Sequence, residues 1–170
     1  MILGEFKRKN IKRRIARDLK KPVKRNTNSG AKIKSVLLLV NHTFNDNVSK
    51  RIIDELGLVE SRVKVITFQI KSSKEKTIEN NFSEKDFGLF GNFKNVDVKK
   101  ILNAKFDLLV NYVTENQYVE SLSVTSNAMF KVGFLNNNTL IYDLMIDVDK
   151  NDFESFNKEL IKYLKILNKI

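Results

Sequence analysis

Polar side chains that could bind a ligand or carry a proton follow three of the predicted strands. Parallel α/β folds bind ligands beyond the carboxyl ends of their strands, so a pocket is expected at that edge of the sheet. His42, just after the apolar run Val36–Val40, is the only histidine of the chain. The residues predicted to line the pocket are His42, Thr43, Asn45, Asp46, Asn111, Thr114, Glu115 and Asp147.

His42 is the one candidate catalytic residue. A single histidine can serve as a general base when it lies within hydrogen-bonding reach of the proton it removes. The alternative is a structural residue whose ring is hydrogen-bonded within the fold. Asp143 and Asp147 share a face of a predicted strand, but four residues of strand separate them by about 13 Å, which is too far for a tight acid–base pair.

Composition excludes or disfavours several chemistries. The chain has no cysteine and one histidine, which rules out thiol nucleophiles, disulfides and the common zinc and transition-metal centres. Neither G-x-G-x-x-G nor G-x-x-x-x-G-K-[ST] occurs, and the turn 41–47 lacks glycine, so the usual phosphate cradle is missing. We therefore expect no metal and no cofactor, although a helix N-terminus alone can still receive a phosphorylated metabolite.

The alternation of strands and helical segments predicts a three-layer α/β domain with a mostly parallel sheet of about five strands, Rossmann-like or flavodoxin-like. Apolar runs place strands at 35–41, 63–70, 106–112, 130–135 and 140–148, and the turn 136–138 allows the last two to pair as a hairpin. Amphipathic segments place helices at about 47–56, 96–103, 114–126 and 153–167. Thr114 and Gln117 fit a capping box for the third of these helices.

Two segments of the chain are less regular. Residues 71–81 are polar and fit a loop or a frayed helix. Residues 82–93 contain four phenylalanines and two glycines, and they fit neither the helical nor the strand period. We expect an ordered loop that lays its aromatic rings across the edge of the sheet, and an aromatic ligand platform is the alternative.

Positive charge is gathered at the N-terminus. Residues 1–34 hold 13 of the 31 Lys and Arg but two of the 20 acidic residues, which accounts for the whole net charge of +11. Residues 35–170 are electrically balanced. The sequence thus divides into a basic N-terminal arm with its linker, 1–34, and an α/β domain, 35–170.

The arm is predicted to be helical from about residue 2 to residue 20, because Pro22 ends the segment. Ile11, Ile15 and Leu19 form a narrow apolar stripe along it. Cations surround the helix on most other sides, and arginine offers planar bidentate contacts to phosphate. The predicted nucleic-acid-binding residues are Lys7, Arg8, Lys9, Lys12, Arg13, Arg14, Arg17, Lys20, Lys21, Lys24 and Arg25.

Three arrangements of the arm remain open. Cations that point in several directions favour RNA or a ribonucleoprotein such as the ribosome. An anionic membrane surface is the second partner, although interfacial helices usually have a wider apolar face than this stripe. In the third arrangement the stripe packs against its own domain or a second subunit, and the charges are only solvated.

Three segments of the body and the basic start resemble a known family. The segments are Phe106–Tyr112 (FDLLVNY), Phe130–Phe134 (FKVGF) and Tyr142–Ile146 (YDLMI). They resemble an uncharacterised, Bacteroidetes-type bacterial family, a domain of unknown function with a Rossmann-like body. The resemblance spans most of the chain and implies no activity and no functional residues.

These patterns favour a non-catalytic binding protein whose basic arm contacts RNA or a ribonucleoprotein. One alternative is a small metabolite-binding domain or enzyme that uses the strand-end pocket near His42, and another is a peripheral membrane-surface protein. A cytoplasmic location is expected. The N-terminus runs into cations without the apolar stretch of a signal peptide, and the run 36–40 is far shorter than the roughly 20 residues of a membrane span.

Overall fold

A computed structural model describes residues 2–21, 31–44, 46–70 and 80–170 of the chain. The strands are β1 (Val36–Asn41), β2 (Val63–Gln69), β3 (Asn81–Ser83), β4 (Phe106–Asn111), β5 (Ala128–Phe134) and β6 (Leu144–Ile146). The α-helices are α1 (Ile2–Leu19), α2 (Asp46–Glu55), α3 (Val96–Asn103), α4 (Gln117–Thr125) and α5 (Phe153–Ile166). Short 3₁₀ helices cover Glu60–Arg62 and Glu84–Asp86.

The six strands form one sheet in the order β3-β2-β1-β4-β5-β6, and every described pair of strands is parallel. Strand order reverses between β1 and β4, as it does in the Rossmann fold. The predicted three-layer, Rossmann-like α/β fold is confirmed, with six strands where about five were expected. The predicted positions of β1, β2 and β4 are also confirmed.

Helices cover both faces of the sheet. Leu37 and Leu39 of β1 pack in one apolar cluster with α1, α3 and α4. Val36, Leu38 and Val40 point to the other face and pack with α2 and α5. Because both faces are buried, β1 is an almost continuous apolar run, as central parallel strands usually are.

Helix α1 packs on the α/β body, against α4. Ile11 is 0 % exposed and Ile15 is 5 % exposed, and both belong to the same cluster as Leu39 of the central strand. Leu19 is half-buried against this cluster. The apolar stripe of α1 therefore packs on its own domain, which is one of the arrangements that the sequence left open.

Polar contacts and a close backbone approach hold α1 against the loop that precedes α3. The Nζ of Lys7 donates to the carbonyl oxygen of Glu84, and the Nδ2 of Asn10 donates to that of Leu89 at 2.9 Å. Gly91 has a φ of +74°, and a Cβ added there would lie 3.0 Å from the backbone nitrogen of Ile11. Glycine is required at this position both for the left-handed backbone and for the space.

The irregular aromatic segment contains an edge strand that sequence reasoning missed. Residues Asn81–Ser83 form β3, which pairs with the end of β2. The rings of Phe82, Phe87 and Phe93 face inward and contact one another. The loop predicted for residues 82–93 therefore begins only after β3 and the 3₁₀ helix Glu84–Asp86. The expectation for 71–81 falls mostly on residues outside the described part of the chain.

Two further expectations are wrong. The predicted fifth strand shrinks to β6, and β6 runs parallel to β5, so these strands do not form a hairpin. Ile141 and Tyr142 are buried in the connection between them, which produced an apolar pattern without a strand.

Helix α4 begins at Gln117 with Asn116 as its N-cap. Thr114 does not cap it, because Glu115 has a φ of 53° and interrupts the helical backbone.

Candidate functional site

The polar groups of the loop after β1 form hydrogen bonds with one another. The backbone nitrogen and the Oγ1 of Thr43 both donate to the Oδ1 of Asn41, at 3.1 Å and 2.9 Å. In dinucleotide-binding Rossmann domains the corresponding turn leaves its backbone donors free for a pyrophosphate. Here the backbone nitrogen of Thr43 is not free, because it donates to the side chain of Asn41. The turn also lacks the glycines of the phosphate-binding motif.

His42 and the aspartates among the strand-end candidates differ in burial and in hydrogen bonding. The backbone nitrogen of His42 donates to the carbonyl oxygen of Phe68 at 3.0 Å, and its buried Nδ1 has no hydrogen-bond partner among the described residues. Asp46 is exposed at the start of α2, and Asp147 is exposed beyond β6. Asn45 lies outside the described residues.

Asn111 belongs to a buried polar network. It is 0 % exposed. Its Nδ2 donates to the hydroxyl of Tyr142 at 2.6 Å, and its Oδ1 accepts from the backbone nitrogen of Val113 at 2.9 Å. The Tyr142 hydroxyl donates in turn to the Oγ of Ser123 at 3.1 Å. Both polar atoms of Asn111 are thus engaged inside the protein.

Burial raises the pKa of Tyr142 from its ordinary value of 10.0 to about 12, although hydrogen bonds with Ser123 and Asn111 oppose the shift. The raised pKa favours the neutral phenol in the folded state. The stability that the buried neutral phenol of Tyr142 contributes is therefore complete below pH 10 and is lost as the pH rises to about 12. Two pH units correspond to roughly 2–3 kcal/mol of the free energy of unfolding.

We expect Tyr142→Phe to lower the free energy of unfolding at pH 8 by about 1–3 kcal/mol, because the amide of Asn111 loses its acceptor. The variant should also lose less stability between pH 10 and pH 12 than the unsubstituted protein. Urea unfolding followed by circular dichroism across this range measures both effects. Tyr163→Phe is the matched control, because Tyr163 is 36 % exposed. Parallel pH profiles for the protein and Tyr142→Phe would contradict the expectation.

A cleft of about 480 Å³ lies between α1 and the start of α4, beyond the carboxyl ends of β2 and β4. It is lined by Arg8, Lys12, Phe68, Glu115, Asn116, Gln117, Tyr118 and Glu120. The cleft joins Glu115 from the predicted strand-end pocket with Arg8 and Lys12 from the predicted nucleic-acid-binding set. Sequence reasoning missed the other lining residues, since no local motif marks them.

The start of α4 is capped from within the chain. The Oδ1 of Asn116 accepts from the backbone nitrogens of Tyr118 and Val119, at 3.0 Å and 3.2 Å. The backbone nitrogen of Glu115 donates to the Oδ1 of Asn137 at 3.2 Å. The backbone nitrogens of Glu115, Tyr118 and Val119 are therefore already bonded to side chains of the protein.

Most cations of α1 face solvent. Asp18 forms ion pairs with Arg14 at 4.0 Å and Arg17 at 3.8 Å within α1, and with Lys21 just after the helix at 2.7 Å. Among the described residues 2–21, the lysines and arginines that form no ion pair are Arg8, Lys9, Lys12 and Arg13 of α1 and Lys20 just after it. We call these five residues the cationic face. Lys24 and Arg25 lie outside the described residues.

Apolar side chains are exposed beside the first turns of α1. Ile2 is 84 % exposed and Phe90 is 76 % exposed. Leu3, Phe6 and Leu89 are also exposed, and the rings of Phe6 and Phe90 meet edge to face at 6.5 Å. Loop 88–91 therefore extends the apolar surface of the first helical turns.

Within the described ranges, no group of three or more His, Asp or Glu side chains could hold a metal ion. None of the helices described is long and apolar enough to cross a membrane.

A family model matches residues 7–167, from the second turn of α1 to the end of α5. The chain belongs to the family of unknown function DUF6913. The DUF6913 match includes most of the basic helix together with the whole sheet. The match does not test the bacterial origin that the sequence resemblance implies, so that origin stays a prediction. No curated protein matches the chain, and no solved structure does so.

Proposed function

We propose that this protein is a non-catalytic binding protein whose cationic face contacts RNA, free or within a ribonucleoprotein such as the ribosome. The docking of α1 carries the proposal. Because Ile11 and Ile15 are buried against the body, the helix is held in one orientation and its unpaired cations face outward as a fixed array. Because the helix is already ordered, binding of phosphates by these cations does not have to order its backbone, although each immobilised side chain still loses rotamer entropy.

Charge balance supports a polyanionic partner. The excess positive charge of the chain lies in residues 1–34, and Asp18 is the acidic residue that forms the described ion pairs of α1. One carboxylate among this many cations leaves a surface that attracts phosphates. Arg8 and Arg13 add bidentate hydrogen bonding to phosphate, which a lysine does not offer.

The proposal is tested on the intact chain, because removal of residues 1–34 would also remove three core side chains, Ile11, Ile15 and Ile33. We expect Lys9→Gln with Arg13→Gln to weaken binding of a labelled single-stranded RNA, measured by fluorescence anisotropy across a salt series. The slope of log affinity against log salt should become shallower by about 1.4, since each neutralised phosphate of a single strand contributes about 0.7.

The matched control replaces Lys158 and Lys165 by Gln. Both lysines are exposed on α5, which packs on the opposite face of the sheet. This pair should leave the slope unchanged. RNA binding that responds equally to both pairs, or that does not occur at low salt, would refute the proposal.

A peripheral membrane-surface protein is the second candidate, and the exposed apolar cluster beside Phe6 and Phe90 favours it. Apolar side chains flanked by cations are typical of interfacial segments. Vesicles of neutral and of anionic lipid, offered in place of RNA, separate the two candidates. Binding to anionic vesicles but not to RNA would support this candidate against the first.

A further inference from the structure

The cleft between α1 and α4 has the position and size of a small-ligand site. It opens beyond the carboxyl ends of β2 and β4, on either side of β1 in the sheet, where parallel α/β folds bind their ligands. Its volume of about 480 Å³ falls within the range of roughly 300–1,000 Å³ for such sites.

One wall of the cleft is cationic. Arg8 and Lys12 are four residues apart on α1 and therefore lie one helical turn apart on the same side of the helix. Neither forms an ion pair with another described residue. Together they can bind one phosphate group, with the guanidinium of Arg8 in bidentate contact.

The opposite wall offers hydrogen-bond acceptors. One carboxylate oxygen of Glu120 accepts from the backbone nitrogen of Asn138 at 3.0 Å, which fixes the position of this side chain. Glu115 and Gln117 line the same wall. Carboxylates repel phosphate but accept hydrogen bonds from the amino groups of bases, so the two walls would orient a ligand that carries both groups.

Tyr118 adds an aromatic side chain to the lining of the cleft, and its ring packs against Phe68 and Phe87. It lines the cleft and is 7 % exposed, and its buried hydroxyl has no hydrogen-bond partner among the described residues. An unpaired buried hydroxyl costs free energy.

The geometry points to a binding site for one unpaired nucleotide, with its phosphate on Arg8 and Lys12 and its base toward Glu115, Gln117 and Glu120. This inference rests on the proposed function, and it specifies that the cationic face binds single-stranded RNA with one base held in the cleft. Guanine, adenine and cytosine carry exocyclic amino groups, whereas uracil has none. The site therefore prefers the first three over uracil.

Titration calorimetry of the full-length protein with GMP, AMP, CMP, UMP and inorganic phosphate tests the inference. We expect the three amino-bearing nucleotides to bind more tightly than UMP and phosphate. Arg8→Gln with Lys12→Gln should weaken GMP binding by on the order of tenfold, as expected for the loss of charge-assisted hydrogen bonds.

The control is the pair Lys9→Gln with Arg13→Gln, which removes the same two charges from the same helix at the same spacing but outside the cleft. It should change the affinity for GMP less than twofold while it weakens RNA binding. Equal effects of the two pairs on GMP would overturn the inference, as would phosphate binding as tight as GMP binding. Absence of GMP binding would also overturn it, while RNA binding sensitive to the control pair would leave the proposed function standing.

Discussion

Ile11→Ala is expected to lower the free energy of unfolding by about 2–5 kcal/mol, the usual cost of truncating a buried isoleucine. Ile11 is 0 % exposed between α1 and the sheet, so the lost methyl and methylene groups leave a cavity that the surrounding helices fill only in part. Ile15→Ala should have a similar effect. Since small domains are stable by roughly 5–15 kcal/mol, either substitution removes a large share of the total.

Urea unfolding followed by far-ultraviolet circular dichroism measures this effect. Ile2→Ala is the matched control, because it makes the same change in the same helix at a side chain that is 84 % exposed. We expect it to cost less than about 0.5 kcal/mol. Equal costs for Ile2→Ala and Ile11→Ala would show that α1 does not dock on the body, and the fixed cationic face would then lose its basis.

Gly91→Ala is expected to lower the free energy of unfolding by about 2–4 kcal/mol, through backbone strain and steric overlap together. The new methyl group would lie 3.0 Å from the backbone nitrogen of Ile11 and 3.1 Å from the carbonyl carbon and oxygen of Asn10. The neighbours are backbone atoms of a helix, so they cannot move aside as a flexible side chain would. The substitution should push α1 away from the loop, and hydrogen exchange of the amides of α1 should become faster.

Gly57→Ala is the control for the strain. Gly57 has a φ of +65°, close to that of Gly91, but an added Cβ would meet no atom within 4 Å. We expect it to cost about 1–2 kcal/mol, the penalty of the left-handed conformation alone, and to leave hydrogen exchange in α1 unchanged. If both glycines cost the same, the close approach of loop 88–91 to α1 makes no contribution to stability.

Local periodicity predicted the elements that are long or fully buried. The apolar run of β1 and the amphipathic pattern of α5 each extend over enough residues to establish a period, and both elements appear where they were expected. Strands β3 and β6 have three residues each, which is too short for a period to be recognised. Phe82 was predicted in a loop for that reason, and the buried loop residue Tyr142 was predicted in a strand.

The candidate site was less predictable than the fold. His42 and Asn111 were chosen because they stand at strand ends, but Asn111 is consumed by hydrogen bonds to Tyr142 and Val113. The cleft instead joins Arg8 to Glu115, residues more than a hundred positions apart in sequence. Whether residues so far apart line one cleft depends on how α1 packs against α4, and no local pattern encodes that packing.

The sequence by itself determined the fold class, the lack of cysteine chemistry and the concentration of positive charge in residues 1–34, because composition and short-range periodicity are local properties. Only the tertiary structure decided that α1 docks through Ile11 and Ile15, and that Arg8 and Lys12 line one cleft with Glu115 and Glu120. The physical reason is that an apolar stripe indicates only that one face of a helix is buried. The surface that buries this face forms only when the rest of the chain has folded.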